Sequence, residues 1–210
     1  MGVRLLEKAD QAAAADVLGS AFAGDPLLTW ACGARERAGM HASALMTTSL
    51  WSQARSAFGC FDGERLRAVA LYQRPTDKVS FLQALRAGLW RWPFRAGPRG
   101  TYRILYTFGV AERFKETLLK GEPHYYLDTL GVHADFARRG HGPRLLLDSL
   151  ARLRAERSAP CFLLTHVPSN ILLYRRLGFE VIGECPVPKT PITFWGMRLP
   201  GLAAAAISSR

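Results

Sequence analysis

The sequence predicts a mixed α/β fold, in a single domain that spans residues 1–200. In the second half, apolar segments follow one another in the order strand, helix, strand, helix, strand, strand. Around Gly63, an Asp-Gly pair joins two apolar runs, as it does in tight hairpins. The 210 residues are 49% hydrophobic, which is enough for one sizeable core. We expect the alanine-rich residues 201–210 to form a flexible tail.

The first half predicts a strand, three helical segments and the hairpin. Asp10 is a plausible N-cap for an alanine-rich helix, which the Gly24-Asp25-Pro26 turn closes after Phe22. The predicted ranges are residues 3–6 (strand), 11–18, 27–30 and 40–55 (helices), and 58–61 and 66–72 (the arms of the hairpin).

Composition narrows the class of protein. The formal net charge of +11 suits a polyanionic partner such as nucleic acid, acidic lipid or a phosphorylated cofactor, although an arginine-rich composition alone also produces it. No apolar run approaches ~20 residues, and the N-terminus lacks the apolar region of a signal peptide. The four cysteines are far apart and have no metal-ligand spacing. We therefore predict a cytoplasmic protein with reduced cysteines, no metal and no membrane partner.

Residues 80–120 have an unusual composition and are predicted to be mostly helical. Between positions 86 and 103 the chain carries five arginines and no acid, with three large aromatic residues (Trp90, Trp92 and Phe94) before Gly97. Pro93, Gly97, Pro98 and Gly100 predict a loop there, followed by a helix over residues 102–119. Such a stretch could bind nucleic acid or a membrane surface. We favour an insertion whose aromatic side chains pack inward, because the helix breakers prevent one continuous amphipathic helix.

The second half predicts two parallel strands that separate at one end. The predicted ranges are residues 125–132 (strand), 142–157 (helix), 160–165 (strand), 168–177 (helix, ended by Gly178), 179–185 (strand) and 192–198 (strand). Open α/β sheets bind ligands where the carboxyl ends of such strands diverge. We therefore expect the ligand beside the end of the strand over residues 125–132.

The loop over residues 137–146 predicts an anion site. The first backbone N–H groups of a helix have no intrahelical partner, and the helix dipole makes this end positive. Gly140 and Gly142 allow close approach of a phosphate, and Arg138, Arg139 and Arg144 add charge. The loop lacks the Gly-Lys-Ser/Thr of a P-loop and the third glycine of a dinucleotide-binding turn. Taken alone, it could equally be a tight connection with solvated arginines.

Two motifs together resemble the GNAT superfamily, the Gcn5-related N-acetyltransferases. Leu130-Gly131-Val132, followed by Arg138-Arg139-Gly140-His141-Gly142, is similar to its acyl-CoA motif. Asn170, Tyr174 and Leu177-Gly178-Phe179 are similar to its second motif. The resemblance covers residues 122–198 and is strongest to the puromycin N-acetyltransferase type, through residues 122–127, the Pro168-x-Asn170 helix start and Phe194-Trp195-x-Met197.

The resemblance implies a fold and an activity. The fold would have a central mixed, mostly antiparallel twisted sheet of about six or seven strands, with a splayed parallel pair and flanking helices. The activity would be transfer of an acetyl group from acetyl-CoA to a primary amine of a small molecule, such as an antibiotic-like amine, by a monomer or homodimer. Protein lysine or N-terminal acetylation, and a non-catalytic acyl-CoA-binding module, are the alternatives. Nucleic acid is the less favoured partner.

The resemblance also implies site residues. Tyr174 would be the general acid, and the position of Asp128 on its strand makes it a candidate base that works through water. The residues that would bind the cofactor are Leu130, Gly131, Val132, Arg138, Arg139, Gly140, His141, Gly142, Pro143, Arg144 and Asn170. Ala137 departs from the Gln or Arg that usually begins the acyl-CoA motif, so one side-chain contact to the diphosphate is absent.

Three of these assignments have alternatives. Asp128 could instead hold a neighbouring loop, with His124, His133 and His166 as weaker candidate bases. Tyr174 could be a core tyrosine of an amphipathic helix. Asn170 could serve as the cap at a helix start.

Overall fold

A computed structural model describes the backbone of residues 2–34, 38–40, 42, 56–76 and 92–201, and within them the side chains other than those of residues 92–96. Most of the helix predicted over residues 40–55 lies outside the described residues. So do residues 80–91 and the tail beyond Gly201.

The described strands form one seven-stranded sheet with helices around it. The elements are β1 (Gly2–Leu5), α1 (Gln11–Phe22), α2 (Pro26–Cys32), β2 (Ala57–Asp62), β3 (Arg65–Gln73), α3 (Trp92–Leu119), β4 (Tyr125–Val132), α4 (His141–Glu156), β5 (Cys161–Thr165), α5 (Pro168–Arg176), β6 (Glu180–Pro186) and β7 (Thr193–Leu199). The strand order is β1-β2-β3-β4-β5-β7-β6. The pair β4–β5 is parallel and the other pairs are antiparallel. The predicted mixed, mostly antiparallel sheet is confirmed.

The sheet is covered on both faces, as the burial of β3 shows. Because successive strand residues point to opposite faces, Ala68, Ala70 and Tyr72 join a core with the leucines of α4. Val69 and Leu71 join a separate core with α1. Leu146, Leu150 and Leu153 of α4 are all buried, so the face predicted from their spacing is confirmed. A third core packs α2 and α3 against the β6–β7 end of the sheet.

Two predictions in the first half of the fold are wrong in detail. The breakers near position 97 do not form a loop, because Gly97 takes a φ of 68° and kinks α3. Pro98 then stands at the start of the second helical part, where a missing N–H costs little. Asp10 is the N-cap residue of α1, as predicted, but its side chain makes no cap hydrogen bond. Its carboxylate accepts instead from Arg4, at 2.7 Å, and from the backbone N–H of Glu7.

The parallel pair separates after three residues. Tyr125, Tyr126 and Leu127 of β4 pair with β5, whereas later residues of β4 pair only with β3. The partners of β3 shift from Thr129 to Leu127 between Leu71 and Tyr72, so Asp128 is the extra residue of a β-bulge. Bulges bend a strand and redirect a side chain. The sheet therefore opens beside Asp128, as the sequence predicted.

Candidate active site

A cavity of about 390 Å³ occupies the opening between β4 and β5. Four of the residues selected from sequence line it: Asp128, Leu130, Asn170 and Tyr174. Residues 138–144 are not among its lining residues. The residues predicted to form the site therefore lie in two places, an open cavity and a separate loop, which the last residues of β4 join.

Asp128 contributes a carboxylate to the wall of the cavity. Thr129 Oγ1 donates to Asp128 Oδ2 at 3.1 Å, and Gln73 Nε2 donates to Oδ1 at 3.5 Å. Asp128 is exposed, so water reaches its side chain, although neighbouring groups still withhold part of its solvation. Burial raises the pKa of Asp128, against the opposing effects of the Thr129 hydrogen bond and the Lys115 charge. The carboxylate therefore holds a proton more readily than an ordinary aspartate does.

Tyr174 is a neutral phenol at the base of the cavity. Its residue is 7% exposed, and its ring meets Phe179 edge-on at 5.6 Å. Burial, reinforced by the nearby Cys161 thiol, raises the pKa of Tyr174 well above its ordinary value. Tyr174 thus belongs to the core and also lines the cavity, so its two interpretations from sequence are compatible. The phenol stays protonated at any ordinary pH and remains a potential proton donor.

Asn170 does not cap α5. The N-cap is Val167, which makes no side-chain cap hydrogen bond, and Pro168 is the first helical residue. Asn170 stands two residues further on, and its backbone N–H donates to Val167 O at 3.0 Å. Its amide side chain lines the cavity, where it is available to a ligand.

Sequence reasoning missed a histidine–aspartate pair in the same cavity. His166 Nε2 lies 2.7 Å from Asp25 Oδ2, and both residues line the cavity. Asp25 is 7% exposed, and its Oδ1 accepts from the backbone N–H of Leu28 as the N-cap of α2. From sequence, His166 was only a weak candidate base. His124 and His133, the other weak candidates, lie outside the lining of the cavity.

Helix α3 adds an ion pair that sequence reasoning also missed. Lys115 Nζ lies 2.6 Å from Glu112 Oε1 and 4.7 Å from the centre of the Tyr126 ring. All three residues line the cavity. Among the described residues that line the cavity, the acidic and basic side chains therefore comprise three carboxylates, one ammonium group and one imidazole, a balance that favours a cationic ligand.

The loop before α4 is built to expose backbone donors. Gly140 is the N-cap of α4, with a φ of 82° and no side-chain cap hydrogen bond. His141, one residue before the predicted helix start, is 4% exposed. Its Nδ1 is buried and has no hydrogen-bond partner among the described residues. An uncapped helix start beside an unsatisfied buried imidazole nitrogen fits an anionic ligand.

Arginines surround this loop. Arg138, with a φ of 61°, and Arg139 are exposed in the loop itself. Arg144 pairs with Asp148 at 3.6 Å. From β3, the Arg67 guanidinium lies 3.6 Å from the centre of the Phe136 ring, and its Nε and Nη1 are buried without hydrogen-bond partners among the described residues. Sequence reasoning missed Arg67, because only the β3–β4 pairing brings it to the loop.

The last residues of β4 connect the cavity to the loop. Leu130 lines the cavity, and Val132 lies close enough to Gly142 that a Cβ there would come within 3.2 Å of Val132 Cγ2. A Cβ on Gly131 would come within 2.7 Å of Leu18 Cδ2, so the absence of a side chain here allows α1 to pack closely against β4. Gly131 could therefore contact a ligand only through its backbone.

The mixed sheet thus opens at a bulge, beside a helix start that has no side-chain cap. Residues 100–179 match the model of the acetyltransferase (GNAT) family. The match covers the stretch from Gly100 in α3 to Phe179, which is therefore similar to acetyltransferases of this family. Among the described residues, no helix is both long and apolar enough to cross a membrane.

Solved structures with low sequence identity share the fold. Arylalkylamine N-acetyltransferase 2 from Aedes aegypti aligns with a TM-score of 0.68 and 13% identity over 95% of this chain and 98% of that chain. The Drosophila melanogaster polyamine N-acetyltransferase aligns with a TM-score of 0.66 and 14% identity over 95% of this chain and 99% of that chain. An acetyltransferase related to histone acetyltransferase HPA2, from Corynebacterium glutamicum, aligns with a TM-score of 0.63 and 21% identity over 97% of each chain.

Proposed function

We propose that the protein transfers an acetyl group from acetyl-CoA to a primary amine of a small molecule with an apolar body. The observation that carries the proposal is the pairing of an acidic, partly apolar cavity with a basic loop, at successive positions of β4. The cavity suits a cationic acceptor, and the loop suits the phosphates of coenzyme A. Acetyl-CoA would supply a thioester whose carbonyl carbon accepts an amine.

The residues of the loop and of β4 fit coenzyme A. The backbone amides of His141 and Gly142, at the start of α4, would bind the diphosphate, with His141 Nδ1 as a further partner. Arg138, Arg139 and Arg144 would supply positive charge, while Pro143 removes no needed donor. Leu130 and Val132 would bind the pantetheine arm through their backbone, with Gly131 between them and the Asn170 amide opposite.

Tyr174 and Asp128 would carry out the proton transfers of the reaction. Tyr174 would donate to the leaving sulfur. Because burial disfavours its phenolate, the proton that it gives must be replaced at once from the amine nitrogen. Asp128 would draw the ammonium group of the acceptor into the cavity and could take its proton through water.

The lining of the cavity supports an acceptor with an apolar or aromatic body. Its apolar wall includes Phe22, Leu28, Phe108 and Phe194, and cations also bind favourably near aromatic faces. The names of the structural neighbours include arylalkylamine, polyamine and agmatine acetyltransferases as well as acetyltransferases of ribosomal proteins, and the sequence resembles the puromycin type. We favour an arylalkylamine-like or antibiotic-like amine, because a polyamine would leave the aromatic wall without a partner.

We also propose that residues 1–200 act as one domain. The support is that the strands of the sheet begin at Gly2 and end at Leu199, so both ends of this range belong to one hydrogen-bonded unit.

An acceptor screen tests the proposed function. Purified protein with acetyl-CoA is offered 2-phenylethylamine, tryptamine, puromycin, agmatine, spermidine and a lysine-containing peptide, and free thiol is followed. We expect turnover that is fastest with one of the first three. Fastest turnover of the peptide would favour protein acetylation. Binding of acetyl-CoA with no turnover of any acceptor would favour a non-catalytic module.

A further inference from the structure

The cavity contains a second group that can accept a proton. His166 follows directly on β5, so it stands on the arm of the opening that faces Asp128 and β4. Its Nε2 is 2.7 Å from Asp25 Oδ2, and its ring packs edge-on against Phe194 at 5.8 Å. Among the described residues, Nδ1 of His166 makes no hydrogen bond. The ring is thus fixed through one nitrogen, while the other is available to a ligand.

Asp25 fixes the tautomer of His166. Its Oδ1 already accepts from Leu28 N at 2.9 Å, so Oδ2 is the atom that faces the imidazole. A carboxylate oxygen only accepts, so Nε2 must carry the hydrogen when the ring is neutral. Nδ1 then carries the lone pair. A neighbouring carboxylate also stabilises the imidazolium that forms when the ring takes a proton.

We propose that His166, held by Asp25, takes the proton of the acceptor's ammonium group, and that Asp128 serves as the counter-charge that holds this group beforehand. The inference rests on the proposed function and assigns one of its proton transfers. An imidazole suits this transfer better than a carboxylate, because general bases work best when their pKa lies near the operating pH.

The protons and bonds balance. One ammonium proton passes to His166 Nδ1, which leaves a neutral amine and an imidazolium. The nitrogen lone pair forms the bond to the thioester carbonyl carbon as the carbon–sulfur bond breaks. Tyr174 gives its proton to the sulfur and recovers one from the nitrogen. His166 then releases its proton to water, so each cycle converts an ammonium group and a thioester into an amide, a thiol and one proton.

Other titratable side chains of the cavity could influence the same transfer: Glu112, Lys115, Tyr126, Asp128 and Tyr174. The test must therefore separate His166 from Asp128. The fastest acceptor of the panel above is used as the probe, and kcat and KM are measured from pH 6 to 10. The variants are His166→Gln, Asp25→Asn and Asp128→Asn, with His124→Gln as the matched histidine control outside the cavity.

We expect His166→Gln to lower kcat/KM at neutral pH about 100-fold or more. The loss should shrink as the pH approaches ~10, where an alkyl amine is itself neutral. Binding of acetyl-CoA, measured by calorimetry, should not change. Asp128→Asn should raise the KM for the amine instead, and His124→Gln should match the wild type.

Asp25→Asn supplies a readout that does not depend on turnover. The new amide can keep the cap of α2 with its oxygen, which turns its NH₂ group toward His166 Nε2 and favours the hydrogen on Nδ1. Long-range ¹H–¹⁵N NMR of the free enzyme should show the Nε2–H tautomer of His166 in the wild type and the Nδ1–H tautomer in the variant. The rate should fall about as far as in His166→Gln, because Nδ1 then lacks a lone pair.

The inference is overturned if the wild type is active and His166→Gln keeps its rate within about threefold at neutral pH. A wild-type tautomer with the hydrogen on Nδ1 would overturn it as well. A wild type that turns over none of the acceptors would instead refute the proposed function, so the two failures are distinguishable.

Discussion

The loop before α4 and the cavity beside Asp128 differ in charge and in the way they are built. The loop is exposed and basic, and it offers backbone N–H groups from residues that are neighbours in sequence. The cavity combines an apolar wall with several carboxylates, and its side chains come from positions as distant as Asp25 and Phe194. A phosphate group can be bound by the backbone N–H groups of a few neighbouring residues. Recognition of a particular acceptor requires side chains from distant parts of the chain, which only the folded structure brings together.

The largest expected effect lies in the cavity, at Tyr174. Tyr174→Phe removes the proposed acid and keeps the ring against Phe179. We expect kcat to fall about 100-fold to 10,000-fold, while the affinity for acetyl-CoA and the Tm stay close to the wild type. Thiol release, calorimetry and thermal unfolding measure the three quantities. Unchanged turnover would remove Tyr174 as the acid.

A double substitution tests the loop alone. Arg138→Ala/Arg139→Ala should weaken acetyl-CoA binding about tenfold or more, because charge-assisted hydrogen bonds contribute about 1.5–3 kcal/mol each. Salt should reduce the difference from the wild type. The control is Arg152→Ala/Arg157→Ala, which removes the same charge from exposed positions at the other end of α4. Equal losses in both variants would mean that net charge, and not the loop, drives binding.

Asp128→Asn tests the cavity for a trade between stability and activity. Burial raises the pKa of Asp128 above its value of about 3.9 in an unfolded chain. The folded protein therefore loses stability as the pH rises from the pKa of the unfolded carboxyl to the higher pKa of the folded one, because the carboxylate then ionises in the folded state. Because Asp128 is exposed and solvent screens its charge, we expect the variant to have a Tm equal to the wild type or at most about 1 °C above it at pH 7, and no advantage below pH 4. A lower Tm of the variant at pH 7 would contradict the raised pKa of Asp128.

The smallest effects concern the packing that holds β4 in place. Gly131→Ala puts a methyl group 2.7 Å from Leu18 Cδ2 and 3.2 Å from Ala21 Cβ. We expect a loss of about 1–3 kcal/mol in the free energy of unfolding, measured in urea. Gly109→Ala on α3, where a Cβ meets nothing within 4 Å, should instead stabilise by about 0.5–1 kcal/mol.

The same contrast explains what could be predicted from sequence. β4 was predicted with its observed ends, and the neighbouring elements to within a residue or two, because periodicity and Gly178 are local signals. The loop at Gly140 was also predicted from residues that are neighbours in sequence. The pair of Asp25 and His166 is separated by 141 positions, and only the folded sheet brings it together. A histidine directly after a buried strand was the one available signal.

The kink at Gly97 shows a second limit. Glycine and proline marked an interruption correctly, but a positive φ can end one helix and begin another without a loop between them. Sequence located the break and misjudged its form.

A crystal structure with coenzyme A would test the central claim most directly. We expect the diphosphate at the backbone amides of His141 and Gly142, and the sulfur between β4 and β5, within reach of the Tyr174 hydroxyl. A diphosphate bound elsewhere, or a sulfur outside the opening of the sheet, would contradict the account.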